Sequence, residues 1–117
     1  MIPIYRAKKK GSREYVIGQF CSYKGYPTIF DEYGLNGKEI DITTLAIHFP
    51  DMLDSQGNKI FASLQENGKG GDIVNYKSRT YTVGVSKNYP QITLLKFKGF
   101  KLTYQDFKKV KIIGIQE

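Results

Sequence analysis

The sequence predicts an all-β fold with minor helical turns, in which short antiparallel strands form a small barrel-like C-terminal half packed with an N-terminal β-hairpin region. Three observations carry this. The apolar residues are of strand type, with nine Tyr, seven Phe, many Ile and Val, and little Ala or Met. Short apolar runs recur roughly every ten residues between Gly, Ser, Asn and Pro turns. At 117 residues and 40% hydrophobic content, the chain has enough apolar surface for one ordinary core and no room for a second of similar size.

A single domain over residues 1–117 is therefore expected: an N-terminal β-region at 1–62, a loop at 65–71 and a small-barrel-like region at 72–117. The stretch 49–74 (FPDMLDSQGNKIFASLQENGKGGDIV) joins the two regions.

Residues 2–7 alternate as a strand, and residues 15–23 (YVIGQFCSY) form a second. Residues 8–12 connect them, which puts Lys8, Lys9 and Lys10 at a loop tip where like charges spread into water. Residues 26–30 and 39–42 read as short strands, with Asn36-Gly37 a tight-turn signal between them. Residues 41–49 (DITTLAIHF) fit a bulged strand or one helical turn capped at Asp41, Thr43 or Thr44. Pro50 ends whichever forms. Residues 54–58 make a turn with Gly57 left-handed, and residues 59–64 leave it as a strand.

Residues 65–71 (QENGKGG) hold three glycines and no apolar side chain, so a mobile loop is expected, with Asp72 accepting backbone amides at its exit. Strands follow at 72–77 and at 80–86, where Tyr81, Val83 and Val85 share a face, with a turn near Ser78-Arg79. After a turn at 88–90 come strands at 91–97 and 100–103. A single helical turn at 103–108, with Thr103 able to cap it, precedes a last strand at 109–115.

The formal net charge of +7 is unevenly placed. Residues 1–24 carry six basic side chains against Glu14, and residues 25–58 carry Lys38 against six acids, so these segments cancel. The excess lies at 59–117, with eleven basic side chains against four acids. Cations and flat rings mix there, and the candidate nucleic-acid or partner surface is Lys77, Arg79, Lys87, Tyr89, Lys96, Lys98 and Lys101. The plainer reading is a solvated lysine face that keeps edge strands from pairing. No apolar run reaches the roughly 18 residues that span a bilayer, and residues 1–12 lack the apolar core of a signal peptide. With the single Cys21 no internal disulfide is possible, so a reducing, intracellular setting is expected.

Two short stretches carry a resemblance. Phe49-Pro50-Asp51-Met52-Leu53-Asp54-Ser55-Gln56-Gly57-Asn58-Lys59-Ile60 parallels a turn segment of the form YTGLKDKNGKEI, and Gly71-Asp72-Ile73-Val74 reproduces the GDIV that follows it in the YopX family of small phage and prophage proteins. The opening Tyr5-Arg6-Ala7 with its basic turn and the closing VKIIG (residues 110–114) are also similar to that family's first and last strands. Pro50-Asp51 replaces Thr-Gly, and residues 62–70 stand as an insertion. The resemblance implies an all-β fold, phage ancestry and a host-cell cytoplasmic location, and it implies no particular activity.

Catalytic chemistry finds little support. Zinc takes about four converging ligands, and His48 and Cys21 are the only His and Cys present. Cys21 in an apolar strand reads as core packing, and His48 between Ile47 and Phe49 as a packed or edge histidine. The segment NGKGGD at 67–72 lacks the Lys-Ser/Thr and the following helix of a phosphate loop. No catalytic residue, metal or cofactor is assigned. The expected function is non-enzymatic binding of a protein partner, whose identity the sequence does not specify. A sequence-independent nucleic-acid-binding barrel is the first alternative, and a small hydrolase using Asp51 with Asp54 or Glu39 with Asp41 is the second. Strand pairing makes a homo-oligomer an additional partner class.

Overall fold

The computed structural model describes residues 3–31, 36–85, 92–94 and 104–117. Strands β1 (Ile4–Lys8), β2 (Tyr15–Tyr23), β3 (Tyr26–Phe30) and β4 (Gly37–Glu39) run as an antiparallel meander. The β2–β3 turn is Lys24-Gly25, with φ of 52° and 83°, the paired left-handed geometry that suits the twist of a two-residue hairpin. A 3₁₀ turn at Ile42–Thr44 follows, then β5 (Ala46–His48). Of the two readings of residues 41–49 the capped turn is the one realised: the Asp41 carboxylate accepts the Thr43 amide at 3.0 Å to cap it, and a three-residue strand begins only after Leu45, in place of a bulged strand through the segment.

The next element is only β6 (Ala62–Ser63), shorter than the strand expected at 59–64. Its upstream residues serve a turn instead, with Lys59 bridged to Leu53 and the Ile60 amide donating to the Met52 carbonyl. Gly57 is left-handed there, as expected, at φ 81°. Strands β7 (Asp72–Tyr76) and β8 (Arg79–Val85) form a second tight hairpin, β9 (Ile92–Leu94) lies against β8, and helix α1 (Tyr104–Phe107) precedes β10 (Lys111–Ile115). The expected turn at 88–90, the strand at 100–103 and the Thr103 cap lie outside the described residues.

One continuous sheet results, in the order β10-β7-β8-β6-β5-β1-β2-β3-β4. The two-residue β6 is its link, antiparallel to β5 and parallel to β8 through Ser63 and Gly84. The sheet curls at the other end as well: Lys9 bridges to Ile40, and the Lys10 amide donates to the Glu39 carbonyl at 3.0 Å, so the chain after β4 returns onto the end of β1. Inside that curl pack Ala7, Ile29, Ile40 and Leu45 with Tyr5, Val16 and Phe20. The larger core lies in the other half, where Ile60, Val74, Val83, Leu94, Phe107 and Val110 are among the buried side chains. Tyr81 and Val85 pack on it beside Val83, as their shared face predicts. Among the described residues no helix is long and apolar enough to cross a membrane.

Four sequence expectations are corrected. Loop 65–71 is built into the fold: Gly68, Gly70 and Gly71 are buried, the Gly70 amide donates to the Gln116 carbonyl at 2.8 Å, and Ser63 Oγ donates to the Lys69 carbonyl at 2.8 Å. Glycine is needed because a Cβ at Gly70, where φ is 87°, would stand 2.0 Å from the Thr44 carbonyl oxygen. The three lysines are not free charges at a loop tip, since Lys8 pairs with Glu117, Lys9 with Glu14 at 3.0 Å and Lys10 with Glu39 at 2.8 Å. Cys21 is exposed, because its face of β2 is the outer one. Gly37 has no positive φ and sits in β4 under the Phe30 ring, which a Cβ would meet at 2.6 Å.

The feature that sequence reading missed is a buried ion pair. Arg6 Nη2 lies 2.8 Å from Asp72 Oδ1 and donates to the Gly70 carbonyl at 2.9 Å. Its guanidinium sits 4.5 Å from the Phe61 ring centroid and 5.5 Å from that of Tyr15. Asp72 accepts the Phe61 amide at 2.8 Å through its other oxygen, rather than amides at its own loop exit. Burial pushes the Asp72 carboxyl above its ordinary range, and Arg6 and the Phe61 amide offset part of that rise, so the ionised form depends on those partners. Arg6→Leu should therefore lower stability by about 3 to 5 kcal/mol, whereas the R6L/D72L double variant should lose clearly less than the two single losses combined, read from urea midpoints. Additive losses would show that the pair is not coupled.

Candidate partner-binding surface

Of the basic surface read from sequence, Lys77 and Arg79 are placed. They flank the β7–β8 hairpin tip, where Lys77 and Ser78 both take positive φ, 51° and 65°, and the Lys77 ammonium lies 5.3 Å from the Tyr76 ring centroid. Both side chains are exposed. Lys87, Tyr89, Lys96, Lys98 and Lys101 lie outside the described residues.

Of the carboxylates considered for hydrolysis, Asp54 and Asp41 are engaged in holding backbone. Asp54 Oδ1 accepts the amides of Gln56 and Asn58 at 2.9 and 2.8 Å, and Oδ2 accepts that of Ile112 at 3.2 Å. Burial alone would raise the Asp54 carboxyl, but the Asn58, Ile112 and Gln56 amides together outweigh it and hold it below the ordinary range. This residue thus closes its own turn and fastens β10 to it. Asp41 caps the 3₁₀ turn, and Glu39 meets Lys10. No group of three or more His, Cys, Asp or Glu is placed to hold a metal among the described residues. His48 is buried, as a packed histidine should be, with Nδ1 3.0 Å from the Ile60 carbonyl. Since that carbonyl can only accept, Nδ1 carries the proton.

The most distinctive surface is one the sequence reading did not single out. On the outer face of the β2–β3–β4 meander an open groove of about 350 Å³ runs between Tyr23, Tyr26 and Phe30, with Thr28 and Gly37 beneath. Tyr23 and Tyr26 face each other across the hairpin and are 51% and 55% exposed, unusual for tyrosines in a sheet. Phe30 packs edge-on to Tyr23, with centroids 5.5 Å apart and planes at 87°. Lys24 and Glu39 stand at the margins, the Lys24 ammonium 5.4 Å from the Tyr23 centroid. The signal was available in Tyr23-Lys24-Gly25-Tyr26: two rings on either side of a tight turn project on one face, because the cross-strand partners next to a two-residue hairpin always do.

At the far end of the sheet β10 is, among the described residues, paired on one side, with Ile113 exposed. A register shift between Ile112 and Gly114 and the outward Lys111 blunt that edge against a further strand.

Compared with known proteins, the chain matches no family model, and no curated protein or solved structure shows significant similarity to it.

Burial holds the His48 imidazole below its ordinary value near 6.5, against a smaller upward pull from the Ile60 carbonyl. A base lowered in the folded state gives stability that is complete above the unfolded pKa and declines as pH falls from there toward the folded value. The urea midpoint should accordingly fall between about pH 7.5 and 5.5 in the wild type, while His48→Asn, which keeps a donor for Ile60, should show a flatter profile over the same interval. Equal slopes for the two proteins would assign the pH dependence to another group.

Proposed function

We propose that this chain is a non-enzymatic accessory protein of the phage and prophage type, akin to the YopX proteins, which works in a host-cell cytoplasm by binding a partner on an open sheet face. The observation that carries this is the pair of half-exposed tyrosines at Tyr23 and Tyr26 over a shallow aromatic groove, on a molecule whose Asp41, Asp54 and Asp72 are committed to holding loops and strands. Exposed ring surface in a groove gains by being covered, at roughly 25 cal/mol per Å² of apolar area. The YopX-like reading is supported by the placement of its two stretches: the amide and carbonyl of Phe61, next to the first, bond to the carboxylate and amide of Asp72 in the second, and Arg6 of the opening strand closes the unit.

A protein is the first partner class. Nucleic acid is the second reading, favoured by the Lys24 ammonium beside the Tyr23 ring and by Lys10, paired with Glu39 at the groove margin. Immobilised wild-type chain should retain a partner from host lysate, and Tyr23→Ala/Tyr26→Ala should retain less. Retention that survives nuclease indicates a protein, retention abolished by nuclease indicates nucleic acid, and equal retention by the double variant would remove the groove from the function.

A further inference from the structure

Four features of the groove bear on what occupies it. Tyr26 is half-exposed and meets no other ring among the described residues, and Tyr23, also half-exposed and edge-on to Phe30, stands directly across the hairpin. Lys24, placed at the tip by its left-handed φ of 52°, pairs with no carboxylate among the described residues. On the other side the Lys10 ammonium lies 2.8 Å from the carboxylate of Glu39, which lines the groove, in a pair whose side chains are 68% and 36% exposed. Such surface pairs contribute little to stability. Finally, the Lys9–Ile40 bridge and the bond from the Lys10 amide to the Glu39 carbonyl occupy the end of the sheet edge at residues 39–40, beside the groove. An extended peptide adding there as a strand would find only the short stretch at residues 37–38, and so few of the main-chain hydrogen bonds that commonly give peptides their affinity.

Open rings flanked by ammonium groups, on the outer face of a small curled sheet, match the requirements of unpaired bases and their phosphates. A duplex hides its base faces and would find only two cations here. We infer that the β2–β3 face binds single-stranded nucleic acid, with Tyr26 and Tyr23 each stacking a base and Lys24 and Lys10 each meeting a phosphate. This rests on the partner-binding reading above, takes its second partner class, nucleic acid, for this face, and names the ligand as single-stranded. It also moves the contact away from the C-terminal lysines, and the two locations predict different salt behaviour. One or two phosphate contacts give a slope of log affinity on log salt of about −0.7 to −1.4 for a single strand, whereas six or so would give about −4.

The test is fluorescence anisotropy of labelled oligo-dT and oligo-U of about eight nucleotides, and of a duplex of the same length, at about 50 mM salt and above. Single strands should bind in preference to duplex, with the shallow slope. Tyr26→Ala should weaken binding about tenfold and Tyr23→Ala by a similar factor, with the urea midpoint of each variant showing that it remains folded under the binding conditions. Lys24→Glu, a surface change at a turn, should weaken binding too, while K77A/R79A should leave it unchanged. No binding of single strands at low salt, or binding lost in K77A/R79A and kept in the tyrosine variants, overturns the inference. If oligonucleotides fail but nuclease-resistant lysate capture still depends on Tyr23 and Tyr26, the ligand is a protein and only this inference falls. If lysate capture fails as well, the binding reading falls with it.

Discussion

The buried pair of Arg6 and Asp72 ties the two halves of the sheet together where their strand pairing is narrowest. Arg6 belongs to the first strand and Asp72 opens the seventh, and between them stand the carbonyl of Gly70, the amide of Phe61 and the ring of Tyr15. Hydrogen bonding between strands is thin at this junction, because β6 has two residues and reaches β8 through a single pairing. A guanidinium is suited to reinforce such a place, since it presents several donors in one plane while its faces lie against rings. The same arrangement gives loop 65–71 its fixed course. With no apolar side chain of its own, the loop is held by its carbonyls and amides, through Arg6, Ser63 and Gln116.

The legibility of the fold follows from the range of the interactions involved. Hairpin strands with alternating apolar residues were readable because pairing next to a turn is local: β2 was predicted at its observed ends, and Tyr81, Val83 and Val85 on their observed face. Local capping was readable too, in Asp41 and in Asp54, whose carboxylates bond amides two to four residues on. What failed was long-range. Glycine-rich polarity at 65–71 signals mobility only if nothing distant claims its backbone groups, and Arg6 and Gln116 do. Three successive lysines read as a solvated cluster until Glu117, Glu14 and Glu39, two of them far off in sequence, arrive beside them.

The candidate surface was missed for a related reason. Counting charge along the chain drew attention to the C-terminal half, where the excess lies. Charge that is counted is not charge that is available, however, and available cations matter only where something else fixes the ligand. At the β2–β3 hairpin the rings do this, and Lys24 needs no neighbours of like sign to be useful. At the β7–β8 hairpin Lys77 and Arg79 are equally exposed, but Tyr76 beneath them is buried and offers its ring to the core. The two hairpins have the same turn geometry and opposite allocation of their tyrosines.

That contrast follows from how the sheet curls. Each half wraps its concave side around a core, and every strand residue must face in or out. In the C-terminal half, α1 and Val110 supply further apolar surface, so the aromatic residues of β7 and β8 are drawn inward. The N-terminal curl encloses a smaller cluster, filled by Ala7, Ile29, Ile40 and Leu45 with Tyr5, Val16 and Phe20 around them. With that side occupied, Tyr23, Tyr26 and Phe30 stand on the opposite parity of β2 and β3 and have only the outer face to occupy, where Gly37 leaves space for the Phe30 ring. The aromatic groove is in this sense the counterpart of a small interior: the ring surface that the N-terminal core cannot enclose is the surface left for another molecule to cover.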